Sequence, residues 1–180
     1  MTEAFDMPIL LWFQEHFTSD ALNIFWEGIT FFGNKGWFWI ALAVLLLIIP
    51  RTRYMGIPAV ISFVITAGLN SVILKNIIGR VRPFDYSDLI IPAVQDLPDS
   101  NSFPSGHAAT AFAVALILLR ADKRIGIPAV IFASLIAFSR VALRVHYPTD
   151  IIAGFLLAFA VSTIVWLVWT FTPYARKHMN

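Results

Sequence analysis

The sequence predicts an all-α integral membrane protein, a bundle of six transmembrane helices with a short N-terminal interfacial helix. The first observation is its composition: of 180 residues, 58% are hydrophobic and 13% are charged, and the mean hydropathy is +0.75. A soluble domain is about 45–50% apolar and about 25% charged, so this chain is too apolar to keep its surface in water. The second observation is a series of apolar segments close to the length of about 20 residues that crosses a bilayer.

Six segments are predicted to span the membrane. Four have both the length and the apolar character of a spanning helix, at roughly 55–74, 104–120, 125–143 and 149–171. A fifth, roughly 36–50, is shorter but almost purely apolar. The segment from roughly 19 to 33 contains Glu27 and is predicted as the remaining span.

The N-terminal region is predicted to lie in the membrane interface. Pro8 to Phe17 combines large apolar side chains with Gln14, Glu15 and His16, a pattern typical of an amphipathic interfacial helix. The first six residues are acidic and lack the basic start of a signal peptide, so the first apolar segment is expected to remain in the mature protein. Residues 1–180 are interpreted as a single membrane domain.

The composition also excludes some classes of function. The chain has no cysteine, which excludes disulfides and thiolate metal sites. The formal charge is only +2 and no basic run occurs, so nucleic acid is not an expected partner. The remaining signal comes from three polar clusters near the ends of apolar segments, where charge is expensive unless it has a function.

The first cluster is Lys75, six residues, then Arg82-Pro83. A separation of seven residues is close to two helical turns, which predicts that Lys75 and Arg82 share one helix face about 10 Å apart. Arginine binds phosphate oxygens through two parallel hydrogen bonds, and lysine adds a point charge. The alternative is that these basic residues mark a helix end and reach toward the headgroups, an interpretation that also explains Arg80.

The second cluster, Pro104-Ser105-Gly106-His107, opens an apolar helix. Serine is favoured before the first helical residue, and the free N–H groups there make the helix start an anion site. Gly106 allows a ligand to approach the backbone, and His107 is then within reach of the bound group. The alternative is an ordinary capped helix with an interfacial histidine.

The third cluster is Ser139-Arg140, five residues, His146, three residues, Asp150. Pro148 restricts this stretch, so His146 and Asp150 can meet only if Asp150 lies early in the last helix and His146 just before it. A carboxylate bonded to one imidazole nitrogen leaves the other free as a nucleophile. The alternative is a buried pair that only caps the helix.

The three clusters resemble the signature motifs of the type 2 phosphatidic acid phosphatase family, membrane lipid phosphatases whose site is similar to that of vanadium haloperoxidases. The family pattern is Lys, six residues, Arg-Pro; Pro-Ser-Gly-His; and Ser-Arg, five residues, His, three residues, Asp. All of it is present in order, between residues 75 and 150. The resemblance implies a six-span helical bundle with the site at one membrane face.

The resemblance also implies residue roles. Five residues hold the phosphate: Lys75, Arg82, Ser105, Gly106 through its N–H, and Arg140. His146 attacks phosphorus and forms a phosphohistidine, Asp150 orients His146, and His107 protonates the leaving oxygen. No metal or other cofactor is expected, since three cations neutralise the phosphate charge. A bell-shaped pH profile is expected, because His146 must be neutral while His107 is charged.

Loop cations predict the orientation. Six spans place the 51–53 turn, the 120–124 turn and the C-terminus on one side, with seven basic residues: Arg51, Arg53, Arg120, Lys123, Arg124, Arg176 and Lys177. The other side keeps Lys35, Arg80 and Arg144 once the pocket cations are set aside. The first side is therefore predicted to be cytoplasmic and the motifs to face the periplasm or cell exterior, in a bacterial inner or plasma membrane. Loss of one span would move the N-terminus to the other side.

The expected substrate is a lipid phosphate or diphosphate that arrives from the membrane plane. An outward-facing site in a small protein is similar to family members that convert undecaprenyl diphosphate to undecaprenyl phosphate, and this is the first choice. The alternatives are phosphatidylglycerol phosphate, phosphatidate or diacylglycerol pyrophosphate, with a lipid A phosphate third. A different class, a non-catalytic membrane protein that binds anions or phospholipids, is also compatible with the cations but does not require His146 with Asp150.

Overall fold

The structure is a computed structural model that describes residues 3–94 and 96–178, and the regular elements in those residues are all helical. This confirms the all-α class. Ten α-helices occur in the described residues: α1 (Glu3–His16), α2 (Asp20–Phe31), α3 (Trp37–Ile48), α4 (Arg53–Gly68), α5 (Lys75–Ile78), α6 (Pro83–Tyr86), α7 (Gly106–Ala121), α8 (Lys123–Ala142), α9 (Pro148–Thr170) and α10 (Pro173–His178). A 3₁₀ turn (Asn34–Gly36) joins α2 to α3, and a π-helical turn (Leu69–Leu74) joins α4 to α5.

The described residues contain four stretches long and apolar enough to cross a membrane: Asp20–Ile48, Arg53–Tyr86, Lys123–Ala142 and Pro148–Thr170. The predicted count of six spans is not confirmed. The segments predicted as two spans at 19–33 and 36–50 belong to one 29-residue stretch. Lys35 and Gly36 have positive φ angles of 51° and 68°, so they bend this stretch in a single short turn. α2 then packs on α8 while α3 packs on α4.

Helix α7 forms the centre of the bundle. Every residue from Ala108 to Leu118 is buried, and the helix packs against α8, α9 and α4. Its many alanines allow neighbouring helices to approach closely, as small residues do in membrane proteins. With 16 residues it is about 24 Å long, shorter than each of the four stretches named above. Because α7 is surrounded by protein, its length does not have to match the thickness of the lipid.

Helix α1 lies at the end of the bundle that carries the three motifs, which we call the site end. It packs against α8 and α9, and Leu10 is buried with Ile90, Val141 and Tyr147. Gln14 bonds the backbone of Leu89 and Ile91 in the loop that precedes α7. Helix α1 is therefore at the site end, whereas six spans would place it at the opposite end of the bundle.

Candidate active site

His146 and Asp150 form a buried hydrogen-bonded pair. Helix α9 begins at Pro148, so Asp150 lies in its first turn and His146 lies in the preceding turn. His146 Nδ1 is 3.1 Å from Asp150 Oδ2, and the two side chains are 2% and 0% exposed. The arrangement predicted for the third motif is therefore the one observed.

The carboxylate of Asp150 is held on both oxygens. Oδ2 accepts a short hydrogen bond from the Ser102 hydroxyl and one of 3.0 Å from the Tyr147 N–H, in addition to its contact with His146. Oδ1 accepts from Arg80 Nη1 at 2.8 Å. A carboxylate has room for about four donors, so this one is saturated and fixed in orientation.

The sequence did not predict the contacts that two of these donors make with Asp150. Ser102 carries no motif signal, and only the fold brings it to Asp150. Arg80 was interpreted as a basic residue that marks a helix end, and this is wrong: it forms ion pairs with Asp150 and Asp6. The reason is that α5 ends at Ile78, so Arg80 leaves the helix and turns inward.

The neighbours of His146 fix its tautomer. Nδ1 faces a carboxylate, which only accepts hydrogen bonds, whereas Nε2 lies 3.3 Å from Arg82 Nη1, which only donates. The network therefore assigns the proton to Nδ1 and leaves the lone pair on Nε2. That lone pair points to the nitrogen of a cation suited to bind phosphate.

Burial also keeps His146 neutral. Loss of hydration is the largest effect and, with the positive charges of Arg82 and Arg140, lowers the pKa of His146 to about 3. The hydrogen bond and charge of Asp150 act in the opposite direction but are outweighed. An imidazole with this pKa is uncharged near neutral pH, as a nucleophile requires.

Lys75 and Arg82 meet at the same loop, although not on one helix face as predicted. Gly79 adopts a left-handed conformation (φ 62°) and ends the helix, and Arg82 is extended. Both side chains reach Ser100: Lys75 Nζ bonds its hydroxyl at 2.9 Å, and Arg82 Nε bonds its carbonyl at 2.8 Å. The break in the helix, rather than helical periodicity, brings the two cations together.

His107 and Arg140 lie beside α2. His107 Nε2 is 3.0 Å from Asn34 Oδ1, and Arg140 Nη1 donates to the Thr30 hydroxyl at 2.7 Å. The His107 ring also packs against Gly33, where an added Cβ would lie only 2.4 Å from the ring carbon Cδ2. Thr30, Gly33 and Asn34 were not predicted as site residues, since the sequence predicts only a span at 19–33 and a turn after it.

Ser105 and Gly106 lie at the start of α7, as the second motif predicts. Ser105 is buried, makes no capping bond, and its hydroxyl has no partner within the described residues. The same holds for Arg140 Nε. The first N–H groups of any helix also lack partners within that helix. Several donors at this point are thus available to an anion.

A cavity of about 710 Å³ opens beside one of these donors, Arg140. His107 and Arg140 line it together with Thr30 and Asn34 of the α2 region, and the loop before α7 supplies Asp96. The Ser105 N–H donates to the Asp150 carbonyl at 3.1 Å, and Arg82 Nη1 lies 3.3 Å from His146 Nε2, so the first and second motifs both meet the third. The structure therefore brings together the residues of all three motifs.

The fold is that of a helical integral membrane protein, and its site places the side chains of several cationic residues near a buried, neutral histidine. The sequence profile described as the PAP2 superfamily matches residues 53–174, which contain all three motifs. The chain belongs to the PAP2 superfamily.

Three similar proteins illustrate the relationship. An undecaprenyl-diphosphatase of Sulfolobus acidocaldarius is 40% identical over 125 residues, which cover 69% of this chain and 60% of that protein. A decaprenylphosphoryl-5-phosphoribose phosphatase of Mycobacterium tuberculosis is 34% identical over 153 residues, or 84% of this chain and 82% of that protein. Among solved structures, a transmembrane PAP2 type phosphatidylglycerolphosphate phosphatase of Bacillus subtilis superposes with a TM-score of 0.75 at 28% identity, covering 96% of this chain and 89% of that one.

Proposed function

We propose that the protein is a membrane lipid phosphatase that transfers the phosphoryl group of its substrate to His146 and then to water, without a metal. The observation that carries this proposal is the setting of His146: its Nδ1 is bound to Asp150, and its Nε2 faces Arg82 at 3.3 Å. A protein that only binds anions needs the cations but has no use for a nucleophile held in one tautomer.

The proposed reaction has two steps. In the first, Nε2 of His146 forms a bond to phosphorus, the bond to the leaving oxygen breaks, and His107 gives that oxygen a proton. In the second, His107 accepts a proton from water, the water oxygen bonds to phosphorus, and the bond to Nε2 breaks. Lys75, Arg82 and Arg140 neutralise the charge of the phosphoryl oxygens in both steps. Ser105 and the Gly106 N–H complete the pocket.

A polyprenyl diphosphate, with undecaprenyl diphosphate as the first choice, is the proposed substrate. Two relatives support it, because the archaeal protein is named for undecaprenyl diphosphate and the mycobacterial one for a decaprenylphosphoryl compound. The B. subtilis structure supports the second candidate, phosphatidylglycerol phosphate. Phosphatidate, diacylglycerol pyrophosphate and a lipid A phosphate are further alternatives.

The proposed orientation puts the site end at the periplasm or cell exterior. The basic turns at 51–53 and 120–124 lie at the opposite end of the bundle, as cytoplasmic loops do. The chain has no cysteine, so single cysteines report their side cleanly. A cysteine at Asp88 should react with an impermeant reagent in intact cells and one at Arg51 should not; the reverse pattern would contradict the orientation.

Comparison of lipid phosphates with the purified protein tests the function. We expect the highest kcat/KM with undecaprenyl diphosphate, and activity that persists in EDTA. His146→Ala should lose phosphate release by at least about 1,000-fold, since no other group replaces the nucleophile. His178→Ala is the matched control, because His178 is exposed and bonds only its own helix at Tyr174. Full turnover by His146→Ala would exclude the proposed nucleophile, and activity restored only by Mg²⁺ would exclude the metal-free reaction.

A further inference from the structure

A buried network of charged groups connects helix α1 to Asp150. Arg80 lies between two carboxylates: Nη2 donates to Asp6 Oδ2 at 2.7 Å, and Nη1 donates to Asp150 Oδ1 at 2.8 Å. Both carboxylates are fully buried and the Arg80 side chain is 11% exposed. Charges this far from water are stable only when they are paired and hydrogen-bonded, so the geometry of these charged groups is well defined.

Thr149 provides a second link between Asp6 and the start of α9. Asp6 Oδ1 accepts from the Thr149 N–H at 3.1 Å, and Asp6 Oδ2 accepts from the Thr149 hydroxyl at 2.6 Å. Arg80 Nη1 is also 2.8 Å from the same hydroxyl, and its guanidinium stacks 3.6 Å above the Tyr147 ring. Asp6 thus holds both Arg80 and the residue next to Asp150.

We propose that Asp6 and Arg80 are positioning residues, which act on the reaction through Asp150. This inference rests on the proposed role of His146. The carboxylate of Asp150 is planar, so when Arg80 fixes Oδ1 it also fixes the direction of Oδ2 toward His146 Nδ1. Asp6 in turn fixes Arg80. Helix α1, which carries no motif of its own, thereby contributes to the tautomer of the nucleophile.

The competing explanation is that these ion pairs only attach α1 to the bundle. Both explanations predict some loss of stability when Asp6 or Arg80 is replaced. They differ in what happens to the imidazole. A positioning role requires that the proton of His146 no longer stays on Nδ1 when the support of Asp150 is removed, whereas simple attachment leaves the tautomer unchanged.

The test is ¹⁵N NMR of the histidine ring nitrogens in detergent micelles at neutral pH. The chain has four histidines, and the signals of His146 are assigned by their loss in His146→Gln. The wild type should show a single Nδ1–H form. Arg80→Gln and Asp6→Asn should show a mixture of tautomers; Asp6→Asn preserves the volume of the side chain and is the milder change. Retention of the pure Nδ1–H form in both variants would overturn the proposal.

Arg144→Gln is the matched control. Arg144 is also a buried arginine at the site end that ties distant segments together, through Thr18 and the Ile91 carbonyl, but it does not touch Asp150. Its replacement should leave the His146 signals unchanged. If Arg144→Gln showed the same proportion of tautomers, the effect would come from a general loss of rigidity at the site end, and this would also overturn the proposal.

Kinetics provide the second measurement. With Arg80→Gln we expect kcat to fall by about 10- to 100-fold, as for other residues that orient a reacting group, while KM changes less than about twofold. The kcat of Asp6→Asn should also fall, by an amount near the lower end of that range. A rise in KM with unchanged kcat would contradict the positioning role. The NMR result does not depend on turnover, so failure of the proposed function, seen as full activity of His146→Ala, is distinguishable from failure of this inference.

Discussion

The two sides of the site differ in how completely their polar groups are paired. On the side of His146 and Asp150, both carboxylate oxygens and both ring nitrogens have partners, and the side chains are buried. On the side of Ser105 and Arg140, a hydroxyl and a guanidinium nitrogen have no partner in the described part of the chain, and Arg140 lines the cavity of about 710 Å³.

This difference separates two tasks. On the side of His146 and Asp150, the polar groups are paired before a substrate arrives, so the imidazole is already oriented. In the proposed function, the unpartnered donors of the cavity side bind the phosphate, and their interactions strengthen as charge develops. Substitutions on the first side should therefore destabilise the folded protein as well as lower turnover, whereas substitutions on the second should lower turnover with little effect on stability.

Among the substitutions that compare the two sides, the largest effect is expected on the cavity side, with Arg140→Lys. Lysine keeps the charge but loses the planar fork that binds two phosphate oxygens, so kcat/KM should fall by about 100-fold. Arg120→Lys is the control, because Arg120 is also bound to buried groups, at Leu116, Ser162 and Thr163, away from the motifs. Equal losses in both variants, measured by phosphate release, would mean that the cavity side is no anion site.

Two serines, one on each side, give a direct comparison. Ser102→Ala removes a donor from a buried carboxylate and should lower the free energy of unfolding by about 1.5–3 kcal/mol. Ser105→Ala removes a hydroxyl without a partner, so the free energy of unfolding should change by less than about 0.5 kcal/mol while kcat/KM falls about tenfold. Unfolding in detergent and phosphate release measure the two effects. The distinction between the sides fails if Ser105→Ala destabilises the protein as much as Ser102→Ala.

A smaller effect is expected from Gly33→Ala. The added Cβ would lie 2.4 Å from His107 Cδ2 and 2.6 Å from Ile136 Cγ2, so the His107 ring must move. A displaced proton donor should lower kcat by about tenfold. Gly28→Ala, five residues earlier in α2, meets nothing within 4 Å and should leave kcat unchanged. Unaltered kcat in Gly33→Ala would remove His107 from the proton-transfer step.

The sequence predicted the motif half of the protein better than the N-terminal half. Hydropathy placed α7, α8 and α9 within about two residues, because long apolar helices are marked by their composition. Spacing placed Asp150 early in α9 beside His146. The glycines at 33 and 36 predict the turn between α2 and α3, but no local pattern predicts that α2 packs on α8 while α3 packs on α4.

The residues that support the site could not be predicted from the sequence either. Ser102, Thr30 and Asp6 reach it through tertiary packing, with 48, 110 and 74 positions separating each from its bonded partner. No local pattern marks such contacts. Arg80 has the charge of a site residue, but the spacing argument assumed a helix that in fact ends at Ile78.

The smallest expected effect is on the pH profile. The pKa of His146 is about 3, so its protonation does not reduce kcat/KM between about pH 5 and 8, and the acid limb of the expected bell lies below that range. The unfolded chain protonates His146 near pH 6.5, so the free energy of unfolding should fall as pH decreases from about 6.5 toward 3. An acid limb of kcat/KM near pH 6.5 that is assigned to His146 would mean that the resting imidazole is charged, and would contradict the buried pair.

The most direct measurement is to trap the enzyme during turnover with ³²P-labelled lipid diphosphate and locate the label by mass spectrometry. We expect a phosphoramidate on Nε2 of His146, stable to alkali and lost in acid, that is absent in His146→Gln and present in His178→Ala. Hydrolysis by the wild type with no trapped label, or label on any residue other than His146, would contradict the claim that this preoriented histidine is the nucleophile.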